Sequence, residues 1–288
     1  MGMTINTNLS ALDAYRNLSN TQTALASSLQ KLSSGLKINS AADDAAGLSI
    51  SEGLQSQVSG TAVATANAQD GVNVIQTADG ALGQVDTILQ RMRDLAVQGA
   101  NDSNSAASRT SIQDEANSLG QEIYRISQNT NFNGINLMQG SGTAPTSLTF
   151  QVGTGSSADN EIVVNTGNLS ATGDVGSLQS TSATTNPTGF DVSSNTAATT
   201  TIATIDTAIA AVSADRSSLG ASQNRLTSAI NLLSVSGENL TAAESTITDT
   251  DMASEMVNYT RDSILSQAGV SMLAQANQMN QGVLKLFS

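Results

Sequence analysis

The sequence predicts a mainly α-helical chain: a long antiparallel helical bundle or coiled coil built from both chain ends, with a small β-hairpin region in the middle. Aliphatic residues recur every three or four positions through both ends, the period of a helix face. No proline interrupts those stretches. Between them, residues 141–201 are rich in Ser, Thr, Gly and Asn and hold both prolines, Pro145 and Pro187.

At the N-terminal end, Ala11, Tyr15, Leu18, Gln22, Leu25, Leu29, Leu32 and Leu36 fall on heptad a and d positions. Ile75, Ala78, Leu82, Val85, Leu89, Met92 and Ala96 form a second stripe; Ile112, Ala116, Leu119, Ile123 and Ile126 form a third. Asn101 to Ser108, polar and small, supplies the turn between these two helices. In the middle, Leu148–Val152 alternates, Glu161–Val164 is a second β-prone run, and Gly153–Asn160 reads as the hairpin loop joining them. Residues 166–201 are expected to be exposed loop with a further short strand near Phe190. A long heptad run follows from Ile205 through Val212, Leu219, Leu226, Leu233 and Leu240 to Ile247. At about 1.5 Å per residue that helix extends roughly 60 Å. Ile264, Ala268, Met272, Ala276, Met279, Val283 and Leu286 close the chain with the same step.

One apolar stripe alone leaves its face in water, so the three central stripes should pack on one another. The expected organisation is residues 1–40 with 252–288 as a terminal coiled coil, 41–140 with 202–251 as a three-helix bundle, and 141–201 as a solvent-facing variable region. Two isolated helices of this length are marginal in water. Both chain ends are therefore expected to order only when neighbouring copies cover their apolar faces.

Composition narrows the function. The chain has no His, Cys or Trp. It thus lacks the commonest neutral-pH base, the commonest metal ligand, and disulfide or thiolate chemistry. Carboxylates remain, so catalysis is disfavoured by composition alone; no catalytic, cofactor-binding or metal-binding residues are assigned. Net charge is −13 and sits in the middle of the chain. Residues 1–40 carry Arg16, Lys31 and Lys37 against Asp13; residues 252–288 carry two charges of each sign; no Lys or Arg lies between Arg125 and Arg216. An acidic middle repels nucleic acid and anionic membrane, and neither is an expected partner. Polar residues interrupt the apolar runs, and residues 1–30 lack a basic start before an apolar core. No cleaved signal or spanning helix is expected.

Several motifs resemble the bacterial flagellins. Ile5-Asn6-Thr7-Asn8 opens the chain as flagellins do, and Leu32 to Leu48 (LSSGLKINSAADDAAGL) is similar to their N-terminal signature. Thr130 to Gly134 matches the turn after their second helix. Leu219 to Leu226 resembles a C-terminal signature, and Ala274 to Gln278 with Val283-Leu284 the closing helix. The resemblance covers roughly residues 4–165 and 202–287. Two departures are the short middle, where many flagellins insert outer domains, and Asn280 where a Pro often precedes the last turn.

The resemblance implies a structural subunit that polymerises into the flagellar filament for swimming. It implies an extracellular product exported unfolded by the flagellar type III apparatus without a cleaved signal. Implied partners are other copies of the chain, an export chaperone, the filament cap and hook–filament junction proteins. The candidate self-assembly residues are Leu18, Leu25, Leu29, Leu32, Ile264, Ala268, Met272, Met279, Val283 and Leu286. Gln90, Arg91, Leu95 and Glu115 match positions read by the flagellin-sensing Toll-like receptor and used in subunit contact, with Asp94 replacing the usual Glu. The paired acids Asp43-Asp44 and Asp249/Asp251 read as helix caps and turns. The Ser/Thr density of 141–201 is compatible with O-glycosylation or with ordinary solvated loop. The competing readings are a hook–filament junction protein on the same helical plan, an enzyme embedded in such a scaffold, and a secreted adhesin or immune ligand.

Overall fold

The computed structural model describes residues 8–140, 146–169, 175–181 and 187–286, with side chains described as far as Gln278. Its helices are α1 (Leu9–Ser34), α2 (Ala45–Gly99), α3 (Ala106–Asn129), α4 (Asn195–Thr248) and α5 (Met252–Leu286). Two small antiparallel strand pairs lie between α3 and α4: β1 (Asn131–Phe132) with β2 (Ile135–Asn136), and β3 (Ser147–Gln151) with β4 (Glu161–Asn165). The mainly α fold with a short central hairpin is the expected class. Contacts divide the chain into two compact units, residues 59–237 and residues 1–58 with 238–288.

The unit of residues 59–237 holds the core. Every member of the second stripe, from Ile75 to Ala96, is fully buried. Ile112, Ala116 and Ile123 of α3 and Ile205, Val212, Leu219 and Leu226 of α4 join it in one cluster. Ion pairs staple the rim of the three helices: Arg91 Nε to Glu115 at 2.9 Å, Arg93 Nε to Asp206 at 2.6 Å, and Arg216 Nε to Asp79 at 2.8 Å. All of these side chains are about half exposed, so each pair is worth no more than about 1 kcal/mol. Packing, not charge, holds the bundle.

The turn after α2 is drawn in by Arg109, which donates to the Val192 carbonyl and to Asp102. Asn133 and Gly134 both adopt positive φ, 49° and 81°, in a two-residue hairpin turn between β1 and β2. That combination is the Asn-Gly turn whose twist matches paired strands. The expected hairpin forms in register, with Phe150 opposite Ile162 and Leu148 opposite Val164. Ile162 and Val164 point inward.

Two expectations are corrected here. Residues 166–201 are not simply exposed loop: Leu169, Val175, Leu178, Phe190 and Val192 are buried in the core cluster. No strand forms at Phe190, which lies in a turn. Five irregularly spaced apolar residues carry no period, so pattern reading missed their burial. In addition, α4 starts ten residues before Ile205, at Asn195. Ser194 Oγ accepts from the Ala197 N–H at 3.1 Å and caps the helix. Burial of Ala198 and Thr201 then overrides the poor helix propensity of the Thr-rich start. Among the described residues, α4 is long and apolar enough to cross a membrane by length and composition. Its apolar line is nevertheless part of the shared core.

In the other unit, caps fix where the helices begin and end. Asn8 Oδ1 accepts from the Ala11 N–H at 3.0 Å to start α1. Gly35, at φ 75°, ends it in the left-handed conformation that L side chains avoid. Asp44 Oδ1 accepts from the Ala46 and Gly47 N–H groups and starts α2; Asp251 Oδ1 does the same for Ala253 and Ser254 of α5. Asp43 Oδ2 takes the Asn39 and Ser40 N–H groups and the Ser40 hydroxyl, which holds its carboxyl below the usual range. The paired acids are caps and turn residues.

Candidate functional site

The feature without an internal explanation is the surface of the terminal helix pair. α1 and α5 run antiparallel: Asn8 Nδ2 donates to the Ala276 carbonyl at 2.9 Å, Leu18 lies against Gly269, and Ser28 meets Glu255. The α5 residues that lose surface are Glu255, Asn258, Tyr259, Asp262, Ser263, Ser266, Gly269, Leu273 and Ala276. Most of this side is polar or small. The Ser28 hydroxyl, then Asn258 and Lys31, holds the Glu255 carboxyl below its ordinary value of 4.5. Asp262 is buried, with Arg261 Nε at 3.5 Å.

The other sides of α5 mix polar residues with large apolar ones. Val257, Ile264, Leu265, Val270 and Met272 are all at least half exposed, Ile264 at 62% and Met272 at 65%. On α1, Leu9, Leu12, Tyr15 and Leu29 are exposed in the same way. A helix that keeps most of its large apolar side chains off its one partner departs from the usual amphipathic rule. Soluble monomers rarely expose contiguous apolar surface of this kind unless it has a partner.

The residues singled out from the sequence divide accordingly. Ile264, Ala268, Met272 and Leu29 are exposed, while Leu25 and Leu32 are half-buried. Leu18, 8% exposed, departs from its expected outward role: it fills the α1–α5 seam beside Gly269. The side chains of Met279, Val283 and Leu286 lie outside the described residues, as do Ile5 to Thr7. Heptad reading missed Val257, which lies one heptad before the run, and Leu265 and Val270, which lie off the three-four step; all three are exposed apolar residues of α5.

A second candidate patch sits where α2 meets α3. Arg91 reaches Glu115 through Nε and Nη2, at 2.9 Å and 2.6 Å, and Gln90 Nε2 donates to Asp86. Gln90, Arg91 and Glu115 are exposed. Leu95 is not: at 1% exposure it belongs to the core beneath them and offers no surface to a partner. Its apolar neighbours on the bundle's inner face account for the difference.

Sequence reading also missed a clasp beside the α1–α5 pair. Leu36 and Asp249 form an isolated antiparallel bridge. The Lys37 N–H donates to the Thr248 carbonyl at 2.7 Å, and the Thr250 N–H to the Gly35 carbonyl at 2.9 Å. Lys37 Nζ donates to the Thr246 carbonyl at 3.1 Å. The left-handed Gly35 turn aims the chain into this bridge, and only the glycine itself hinted at it. Among the described residues no group of three or more acids is placed to hold a metal.

Comparison with known proteins accounts for the two-ended helical plan. Residues 5–143 match the bacterial flagellin N-terminal helical region, and residues 202–287 the bacterial flagellin C-terminal helical region. The chain is 44% identical to a flagellin of Bacillus subtilis (strain 168), with 99% of each chain covered. It is 44% identical to a flagellin of Halalkalibacterium halodurans, again over 99% of each chain. It is 41% identical, over 99% of each chain, to a flagellar filament 33 kDa core protein of Treponema phagedenis. Matches at both ends and along the whole length leave one conclusion: this chain belongs to the bacterial flagellin family.

Proposed function

We propose that this flagellin joins its filament by burying the outward sides of α1 and α5 against sister copies. As a family member it is a structural subunit of the bacterial flagellar filament, which lies outside the cell, and not an enzyme. The observation that carries the proposal is that α5 leaves most of its large apolar residues, Val257, Ile264, Leu265, Val270 and Met272, uncovered by its own chain. In this reading the helices of residues 1–40 and 252–288 form the inner tube. Residues 41–140 with 202–251 form the surrounding shell, and residues 141–201 reach its outer side. Leu29, Ile264, Ala268 and Met272 make the inter-subunit contacts, together with Met279, Val283 and Leu286.

The same surface explains how the subunit must be handled. An apolar face that associates with its own kind has to be covered before assembly. An export chaperone would cover α5 in the cell, and the flagellar type III apparatus would pass the chain unfolded, without a cleaved signal. Addition at the tip beneath a cap protein, on a base of hook–filament junction proteins, completes the route. Replacing Val257, Ile264 and Met272 together with Gln tests the face. Purified variant should fail to elongate sheared filament seeds, as seen by negative-stain microscopy, while the unit of residues 59–237 keeps its thermal transition. Normal elongation would overturn the proposal.

The exposed Arg91–Glu115 pair with Gln90 favours a second contact role for that rim, in subunit packing and in recognition by the flagellin-sensing Toll-like receptor of an animal host. Reporter cells exposed to the free subunit should respond less to Arg91→Ala; equal signalling would remove this reading.

A further inference from the structure

The seam between α1 and α5 poses a register problem. Paired helices usually fix their relative slide by interlocking apolar knobs. Here the α5 side facing α1 offers Glu255, Asn258, Asp262, Ser266 and Gly269, with Leu273 and Ala276 only toward its far end. The leucines of the seam, Leu18, Leu25 and Leu32, come from α1 and meet mostly small and polar groups on α5, so few apolar pairs interlock to oppose a slide of one turn. The outward residues cannot correct the slide, because within one chain they touch no partner. Yet any face displayed to neighbours is useful only if α1 and α5 present their apolar residues in one fixed pattern.

We propose that the clasp between residues 35–37 and 248–250 sets the register of the α1–α5 pair. Directional backbone hydrogen bonds supply what the seam lacks. The Lys37 N–H to the Thr248 carbonyl and the Thr250 N–H to the Gly35 carbonyl lock the C-terminal end of α1 to the N-terminal end of α5. Gly35 directly follows α1 and Thr250 lies two residues before α5, while Lys37 and Thr248 lie three and four residues from those ends, so little slack separates the clasp from the pair. Gly35 is the hinge that makes the approach possible, since its φ of 75° turns the chain back toward residues 248–250. Ser28–Glu255, between one and two turns inside the clasp, and Asn8–Ala276 at the far end then fall into place as consequences of the register. Lys37, Thr248 and Thr250 are in this sense positioning residues for the assembly surface. The inference rests on the proposed role of that surface only for its purpose; the register itself is measurable without any filament.

The chain contains no cysteine, which makes the test direct. A Cβ at residue 269 would lie 3.7 Å from that of Leu18, within the span of a disulfide. Leu18→Cys is combined with Gly269→Cys for the native register, and with Ser266→Cys or Leu273→Cys, the seam positions on either side, for slides of one turn either way. Dilute free subunit is oxidised, and intramolecular cross-linking is read on non-reducing gels. In the parent chain the 18–269 pair should form at least tenfold faster than either shifted pair. Lys37→Pro and Thr250→Pro, made separately, each remove one clasp donor and should bring the three rates to within about twofold. Two independent clasp variants guard against one of them misfolding, and the thermal transition of residues 59–237 checks each. The proposal is overturned if the tenfold preference survives both prolines, which would assign register to the seam. Equal rates in the parent overturn it too, as does loss of all three cross-links in both variants, which would make the clasp a requirement for pairing itself. Failure of the filament reading leaves these rates unaffected, so the two ideas fail separately.

Discussion

Leu89 and Ile264 look alike in the sequence: each is an aliphatic residue on a heptad stripe. In the structure Leu89 is enclosed by the bundle core and Ile264 is open to solvent. Their substitutions should therefore separate stability from assembly. Leu89→Ala is expected to destabilise the subunit by about 2–5 kcal/mol, the cost of lost contacts plus a cavity, read from urea unfolding. Ile264→Ala should leave the unfolding midpoint of the free subunit within about 0.5 kcal/mol while slowing seed elongation. Similar unfolding for the two variants would contradict their placement. Periodicity made both residues legible as members of a stripe, but a single chain's pattern does not say whether a stripe's partner is internal. Leu18 and Leu95 illustrate the same limit from the other side, since spacing and motif pointed outward and packing turned both inward.

Among the elements, the central stripes were the most legible, because long unbroken periodicity outweighs local preferences. The Leu148–Val152 and Glu161–Val164 hairpin was equally plain, as alternation has one helical counter-reading and the Gly-rich loop removes it. What stayed hidden was order held by isolated contacts: the capped early start of α4, the buried residues of 166–201, and the Gly35–Thr250 clasp. At this scale the Arg91–Glu115 pair should matter little to stability. Arg91→Ala is expected to cost less than about 1 kcal/mol in urea unfolding, because both groups are half exposed. Glu255 predicts a pH response. Its pKa is lower in the paired helices than its ordinary 4.5, so its contribution is complete above that value and disappears as pH falls through the lowered one. Titrating helix content by circular dichroism from pH 6 downward should show an acid-dependent loss that Glu255→Gln lacks. Other carboxylates, Glu122 among them, titrate in both chains, so the difference between the two curves is the quantity that reports on the seam. Superimposable curves would remove Glu255 from it.

Across the whole molecule, the two units differ in what completes them. Residues 59–237 enclose their own core, with stripes from three helices and the inward side of a hairpin meeting in one cluster. The unit of residues 1–58 and 238–288 leaves many large apolar residues outside, Ile264 and Met272 among them, around a helix pair whose seam is mostly polar on its α5 side. Local stability follows enclosure, so the same backbone hydrogen bonds should be guarded very differently in the two units. In free subunit, amides of α1 and α5 are expected to exchange with deuterium within seconds to minutes, while Ile75 to Ala96 and Ile205 to Leu226 stay protected for hours. In filaments, neighbours would supply the missing cover, and α1 and α5 should gain protection of at least a hundredfold with little change in the bundle. Hydrogen exchange with mass spectrometry on both states from one preparation makes the comparison internal. Equal, slow exchange of α1 and α5 in the free subunit would mean that a two-helix pair with a polar seam is stable alone. Assembly would then have no folding step to drive, and its affinity would have to come from docking preformed surfaces.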